Sequence, residues 1–282
     1  MTSASLNEAV GAELFFKCEN FQRTGSFKLR GAMNATLQLS QDVSTVVTHS
    51  SGNHGAALAF AARACGKTAM VVVPKDARPE KRLAIERLGA EVVDCGEKLA
   101  DREAVLAEVM ASQPEAVFVP PYDHAEIIAG QGTAAFELLE EVGDLDQLWV
   151  PVGGGGLAAG TTIVANGQID VICAEPELAR DAHDSLAMGD LQPAMLPHTV
   201  ADGLRTALGK LNFEILRQNR VAVVLVDDEA ILSAMRLIWN RLKIVVEPSA
   251  AVCLAAMLLD PQRVAKRAGI ILTGGNISPP GA

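Results

Sequence analysis

No excess of positive charge runs through these 282 residues: Lys and Arg number 24 against 34 Asp and Glu, a formal net charge of −10. A nucleic-acid surface needs a basic stripe to neutralise phosphates, and an anionic membrane recruits basic segments. Neither partner is expected. The start, MTSASLNEAVGA, lacks the basic region and apolar core of a secretory signal. Paired cysteines are lacking too. Cys18, Cys65, Cys95, Cys173 and Cys253 form no C-x-x-C and no zinc set with histidine. An odd, scattered set reads as reduced thiols packed as small hydrophobes in a cytoplasmic protein. A membrane span is lacking as well. The uncharged run from Gln147 to Ile169 is long enough, but Pro151, Gly153–Gly156, Gly160, Asn166 and Gln168 break it into strand, loop and helix.

What is present is a globular balance, 49% apolar and 21% charged, with no repeat and no low-complexity linker. Short β-branched runs alternate with helical stretches. The runs Val46–His49, Ala69–Val73, Glu91–Asp94 and Ala116–Val119 are separated by the helices Asn53–Cys65, Pro79–Leu88 and Lys98–Ala111. Pro79 sits at a first-turn position and Gly89 at a helix end. A second series holds the strands Leu148–Val152, Val171–Ala174, Val221–Val226 and Ile270–Leu272. Its helices are Leu157–Ala165, Asp228–Arg241 and Ala250–Leu259. Strand Glu13–Lys17 and helix Ser26–Leu37 come first. The pattern predicts two parallel-sheet α/β lobes. A small lobe, 42–122, is inserted into a large one, 1–41 plus 123–282.

Gly153–Gly156 follows a strand and opens a helix, where N–H groups free of Cβ crowding form a phosphate cradle. Gly154, Gly156 and Ala159 fit G-x-G-x-x-A, and Glu175 ends the next strand. This is the dinucleotide fingerprint with its ribose acid. A non-catalytic dinucleotide-binding module is therefore one reading. It leaves three polar, glycine-bearing segments without a role: Thr24–Lys28, Ser50–Gly55 and Thr273–Asn276. Each sits at a strand or helix end where ligands of parallel sheets bind. Lys28 lies between Phe27 and Leu29, and desolvation there would free its amine as a nucleophile. A reactive lysine with a phosphate cradle suggests pyridoxal 5′-phosphate (PLP).

Taken in order, K-C-E-N-F-Q-R-T-G-S-F-K-L-R-G-A (17–32), S-S-G-N-H-G (50–55), G-G-G-G-L (153–157), E-P-S-A-A (247–251) and T-G-G-N (273–276) span nearly the whole chain. The set resembles the PLP-dependent serine/threonine dehydratases, nearest the branch with serine racemase and 3-hydroxyaspartate dehydratase. The resemblance implies a two-lobed fold-type-II enzyme, similar to tryptophan synthase beta, with the cofactor between lobes. It assigns Lys28 to carry PLP and take the α-proton, Phe27 to flank the cofactor and Asn53 to meet its phenolic oxygen. Gly153, Gly154, Gly155, Gly156 and Leu157 would bind phosphate, Gly203 would line the ring, and Thr273 would meet the pyridine nitrogen. Ser50, Ser51 and His54 would receive the substrate carboxylate. Ser51 also matches the proton-exchanging serine of racemases, its structural alternative being a helix N-cap. Arg102 would face the distal end of the substrate, where an exposed helical arginine is the plain alternative.

The resemblance further implies a divalent-cation site of Glu175, the Ala179 carbonyl and Asp181, with oxygen ligands suited to Mg²⁺, Ca²⁺ or Mn²⁺. The expected activity is loss of water and ammonia from L-threonine, L-serine or 3-hydroxyaspartate, giving a 2-oxo acid. The alternative is serine racemisation, which Ser51 keeps open. A homodimer is expected. Relatives carry a helix and a Thr-Pro turn ahead of the position of Met1. The stretch from Thr161 to Asp170 is short for the family. With no regulatory domain expected after Ala282, feedback by isoleucine is not expected.

Overall fold

A computed structural model describes residues 1–77, 79–193 and 198–278, without the side chain of Leu99. In chain order the first elements are α1 (Ala4–Val10), β1 (Glu13–Cys18), α2 (Lys28–Leu37), β2 (Thr45–His49), α3 (Asn53–Ala64) and β3 (Thr68–Pro74). Then come α4 (Pro79–Arg87), β4 (Glu91–Cys95), α5 (Leu99–Ser112), β5 (Val117–Phe118) and α6 (Ala125–Val142). The rest are β6 (Gln147–Pro151), α7 (Gly156–Ala165), β7 (Asp170–Pro176), α8 (Asp181–Met188), α9 (Lys210–Gln218), β8 (Ala222–Val226), α10 (Asp228–Leu242), α11 (Pro248–Leu259) and β9 (Arg267–Leu272).

The chain divides into two compact units, Met1–Phe27 with Gln131–Ala282, and Lys28–Gly130. The sequence reading drew the lines at 41/42 and 122/123. The observed lines fall outside these because α2 packs on α3, and because the start of α6 packs on α2. A Cβ on Gly130 would lie 2.6 Å from the Arg30 carbonyl oxygen, and Asn34 donates to the Glu126 carbonyl at 2.7 Å. Residues 279–282, at the end of the larger lobe as drawn from sequence, lie outside the described residues.

Unit 1 holds a five-stranded sheet in the order β1-β9-β6-β7-β8, every neighbouring pair parallel. Parallel strands are covered on both faces, so their sequences read as continuous apolar runs. β6 accordingly buries all five residues. Its Trp149 is fully buried, the indole N–H donating to Gln147 Oε1 at 3.1 Å. α11 is apolar all round and buried from Pro248 to Met257, as a core helix must be. Unit 2 holds a four-stranded parallel sheet, β4-β3-β2-β5. Val46, Val71, Val73, Leu58 and Ile85 make its core.

Helices α1, α6, α8 and α9 were not assigned from the sequence. α2 starts at Lys28 rather than Ser26, because Ser26 is held in an extended bridge with Gly274. The N-cap of α3 is Gly52, not Ser51, and Ser50 Oγ accepts the Gly52 N–H at 3.2 Å. Among the described residues no helix is long and apolar enough to cross a membrane. All five cysteines are free thiols.

Candidate active site

In unit 1 the sequence-selected residues gather at the carboxyl edge of the sheet. Gly153–Gly156 leave β6 and Thr273–Gly274 leave the adjacent β9. Gly155 has φ +88°, the left-handed region, and a Cβ there would lie 2.6 Å from Leu208 Cδ1. Only glycine fits both the angle and the space. The first intrahelical bond of α7 is Ala159 N–H to Gly155 O, 2.8 Å. The N–H groups of Gly156, Leu157 and Ala158 precede it, at the positive end of the helix. That is the donor set a phosphate monoester needs. The Gly154 peptide is held from both sides. Its N–H donates to Thr206 Oγ1 at 2.9 Å, and its oxygen accepts from Asn212 Nδ2 at 2.6 Å and Gly209 N–H at 3.1 Å.

Thr273 is 4% exposed, and its Oγ1 is buried with no hydrogen-bond partner. Orphaned buried hydroxyls are rare, so this one fits a ligand acceptor such as a pyridine nitrogen. Phe27 N–H donates to the Thr273 carbonyl at 2.9 Å, which ties the segment entering α2 to the end of β9. Gly203 donates its N–H to Ser249 Oγ at 3.0 Å, and a Cβ there would meet that oxygen at 2.9 Å. The loop carrying Gly203 is anchored by Asp228, which accepts from Val200 N–H at 2.9 Å, and by the Arg205 guanidinium on the Thr199 carbonyl.

Glu175 ends β7 and is fully buried. Its two oxygens accept the Ala182 and His183 N–H groups of α8 at 2.9 and 2.8 Å. Burial pushes its pKa up to about 8 in spite of those bonds, and the Asp181 charge adds to the rise. Thus sequestered, it cannot reach a ribose, and the dinucleotide reading loses its acid. Asp181 is also buried, which raises its pKa, and its Oδ2 accepts the Leu208 N–H at 2.7 Å. Buried Ala179 ends a short turn between them. Two buried carboxylates bonded to N–H groups suit a hard cation. Among the described residues no group of three or more His, Cys, Asp and Glu forms a metal set, so the backbone would have to complete this one.

In unit 2 the sheet's carboxyl edge carries the side chains that can move protons. Lys28 opens α2, and its Nζ donates to the Pro121 carbonyl, just past β5, at 2.8 Å. The turn Ser50–Gly52 follows β2, the neighbour of β5. Asn53 and His54 begin α3, next to that turn. His54 is 2% exposed, and its Nε2 lies 3.1 Å from the Val119 carbonyl. A carbonyl can only accept, so Nε2 carries the hydrogen and the buried, unpartnered Nδ1 presents a lone pair. Burial, then the charge of Lys28, hold the His54 pKa down to about 3. A carboxylate would therefore meet the His54 backbone N–H, not its ring.

Arg102 is not an exposed helical arginine. It is half-buried near the start of α5, its Nε buried with no hydrogen-bond partner. Burial and then the Arg102 charge lower the pKa of His49 at the end of β2; burial raises that of Cys95 at the end of β4, and the Arg102 charge opposes the rise. His49 stacks on Phe118 at 5.8 Å. Pro121, Thr206 and Asn212 were missed by sequence reasoning.

The profile of the family described as "Pyridoxal-phosphate dependent enzyme" matches residues 1–274. The chain is 45% identical to the serine racemase of Dictyostelium discoideum over 98% of this chain and 88% of that one. It is 44% identical to the beta-hydroxyaspartate dehydratase of Paracoccus denitrificans, covering 98% and 89%. The crystal structure of serine racemase from Dictyostelium discoideum superposes with a TM-score of 0.94 at 44% identity, covering 99% and 92%.

Proposed function

The chain belongs to the pyridoxal-phosphate dependent enzyme family, and from that premise we propose that it is an ammonia-lyase that dehydrates a 3-hydroxy amino acid, with 3-hydroxyaspartate favoured over L-threonine and L-serine. Lys28 would carry the cofactor. Gly153–Gly156 and Leu157 would hold its phosphate, Thr273 would donate to its ring nitrogen, Gly203 and Phe27 would flank the ring, and Asn53 would meet the phenolic oxygen. Bound PLP supplies an electron sink that acidifies the substrate's Cα–H. Lys28, released to the neutral amine, removes that proton. Ser50, Ser51 and the N–H groups opening α3 receive the α-carboxylate. The β-hydroxyl would leave with a proton as water, and the resulting enamine, through its imine, would take up water to give a 2-oxo acid and ammonia.

The observation that carries the substrate choice is Arg102. The guanidinium is half-buried and donates from Nη2 to the Glu97 carbonyl at 3.4 Å, but its Nε is buried and unpartnered, a costly donor to leave unsatisfied. A substrate with a second carboxylate satisfies it, and 3-hydroxyaspartate has one where serine and threonine do not. Relatives named for hydroxyaspartate chemistry, at 44% and 42% identity, support the same choice. The decisive assay offers the three hydroxy amino acids and measures 2-oxo acid and ammonia. The expected result is oxaloacetate from 3-hydroxyaspartate at the highest kcat/KM. Racemisation is the second reading, favoured by Ser51, half-buried where α3 begins and not used as its cap. An enantiomer formed without 2-oxo acid would establish it.

Glu175, the Ala179 carbonyl and Asp181 would hold a divalent cation, Mg²⁺ being the expected one. Chelation should lower the melting temperature, and Mg²⁺ should restore it. A homodimer in the cytoplasm completes the reading, and sedimentation tests the first part.

A further inference from the structure

Asp181, at the start of α8, hydrogen-bonds to more than its own helix. Its Oδ2 holds the Leu208 N–H at 2.7 Å. Leu208 belongs to a strap, Thr206–Asn212, whose next contacts all converge on one residue, Gly154. Thr206 Oγ1 takes the Gly154 N–H, and Gly209 N–H and Asn212 Nδ2 both reach the Gly154 oxygen. Leu208 also packs against Gly155, so closely that a Cβ there would collide with it. The glycine turn has no side chains with which to fix itself. Its conformation is set by this strap, and the strap is tied to Asp181 at Leu208, between the residues that hold Gly154.

We propose that Asp181 is a positioning residue for the phosphate turn, acting through the strap and independently of any cation, with Thr206 as the strap's clamp on Gly154. This rests on the reading that Gly153–Leu157 bind the phosphate of PLP. A carboxylate accepting a buried backbone N–H is a charge-assisted bond, and removing it leaves the N–H unsatisfied. The strap then loses its register, and the N–H groups of Gly156, Leu157 and Ala158 lose their shared aim. The cost falls on phosphate affinity.

The amide of Asn can accept the Leu208 N–H as Asp does, but it lacks the charge a divalent cation requires. The alanine lacks both. PLP affinity is therefore measured by visible-absorbance titration of the apo forms of wild type, Asp181→Asn, Asp181→Ala and Thr206→Val, in a buffer with excess chelator. The expected result is that Asp181→Asn stays within about twofold of wild type, while Asp181→Ala and Thr206→Val bind about tenfold more weakly, the effect of roughly 1.4 kcal/mol. Asp181→Ala binding PLP as wild type does, or Asp181→Asn losing as much as Asp181→Ala, overturns the proposal. Thr206→Val leaves both carboxylates intact. Should Asp181→Ala fail to fold, wild-type affinity in Thr206→Val overturns the proposal alone. If wild type itself takes up no PLP on Lys28, by borohydride trapping and peptide mass, the functional reading fails and not the strap.

Discussion

The two units carry the same architecture, a parallel sheet with the proposed site loops at its carboxyl edge, and differ in what those loops present. Unit 1 offers backbone. Its turn at Gly153–Gly156 presents N–H groups held by neighbours, and at the end of the adjacent β9 the Thr273 hydroxyl is buried with no hydrogen-bond partner. Unit 2 offers side chains: an amine at Lys28, a lone pair at His54, hydroxyls at Ser50 and Ser51, a guanidinium at Arg102. The difference separates holding from reacting. A phosphate needs many weak, fixed donors, which a rigid turn provides. Proton transfer needs one group whose charge can change, which a side chain provides.

The comparison breaks first at Lys28. Lys28→Ala should lower 2-oxo-acid release by about 1,000-fold or more, within the range for loss of a general base and nucleophile together. The melting temperature should stay near that of unliganded wild type. Substantial residual turnover would move the chemistry out of unit 2. Arg102→Ala comes next. The KM for 3-hydroxyaspartate should rise by about 10- to 100-fold, the loss of a charged hydrogen bond, with that for L-serine nearly unchanged. Equal losses on both substrates would remove Arg102 from specificity.

In unit 1, Gly155→Ala puts a Cβ at φ +88° against Leu208. About 1–3 kcal/mol of stability should go, from left-handed strain and overpacking. PLP affinity should fall with it, and thermal melting and cofactor titration read the two together. The smallest effect is one of pH. His54 is held near 3 when folded against 6.5 for an ordinary histidine. Below about pH 6.5 the unfolded chain takes up a proton that the folded chain refuses, so stability falls as pH drops toward 3. Burial lowers His49 in the same direction. Denaturant melts between pH 7 and 4 should show this slope, reduced in His54→Gln. A slope unchanged by that substitution would show that His54 charges freely.

Much of this was legible in the sequence because the signals were local. A β-branched run followed by glycines predicted β6 and its turn, and the order of motifs pointed to Lys28, Asn53 and Thr273. What was not legible depends on distance in the chain. Asp181 to Leu208 and Asn212 to Gly154 join residues separated by 27 and 58 positions. No spacing rule announces either bond. α6 went unassigned although it is 18 residues long. Gly130 and Gly132 lie within it, and each is where another backbone comes close, Arg30 and Gly160 respectively. The burial of the Arg102 Nε was not legible either, because its own helix does not encode it.

The place of β9 has a consequence for synthesis. Glu13 of β1 pairs with Arg267, and β9 then pairs with β6 on its other side. The strand that joins β1 to β6 in the unit 1 sheet is thus the last of its five strands to be made. Unit 2 has all four of its strands by Phe118 and can close early. Unit 1 waits with the edges of β1 and β6 unpaired, a state open to wrong partners. A chain stopped before β9 would have the unit 2 sheet complete and the unit 1 sheet split between β1 and β6.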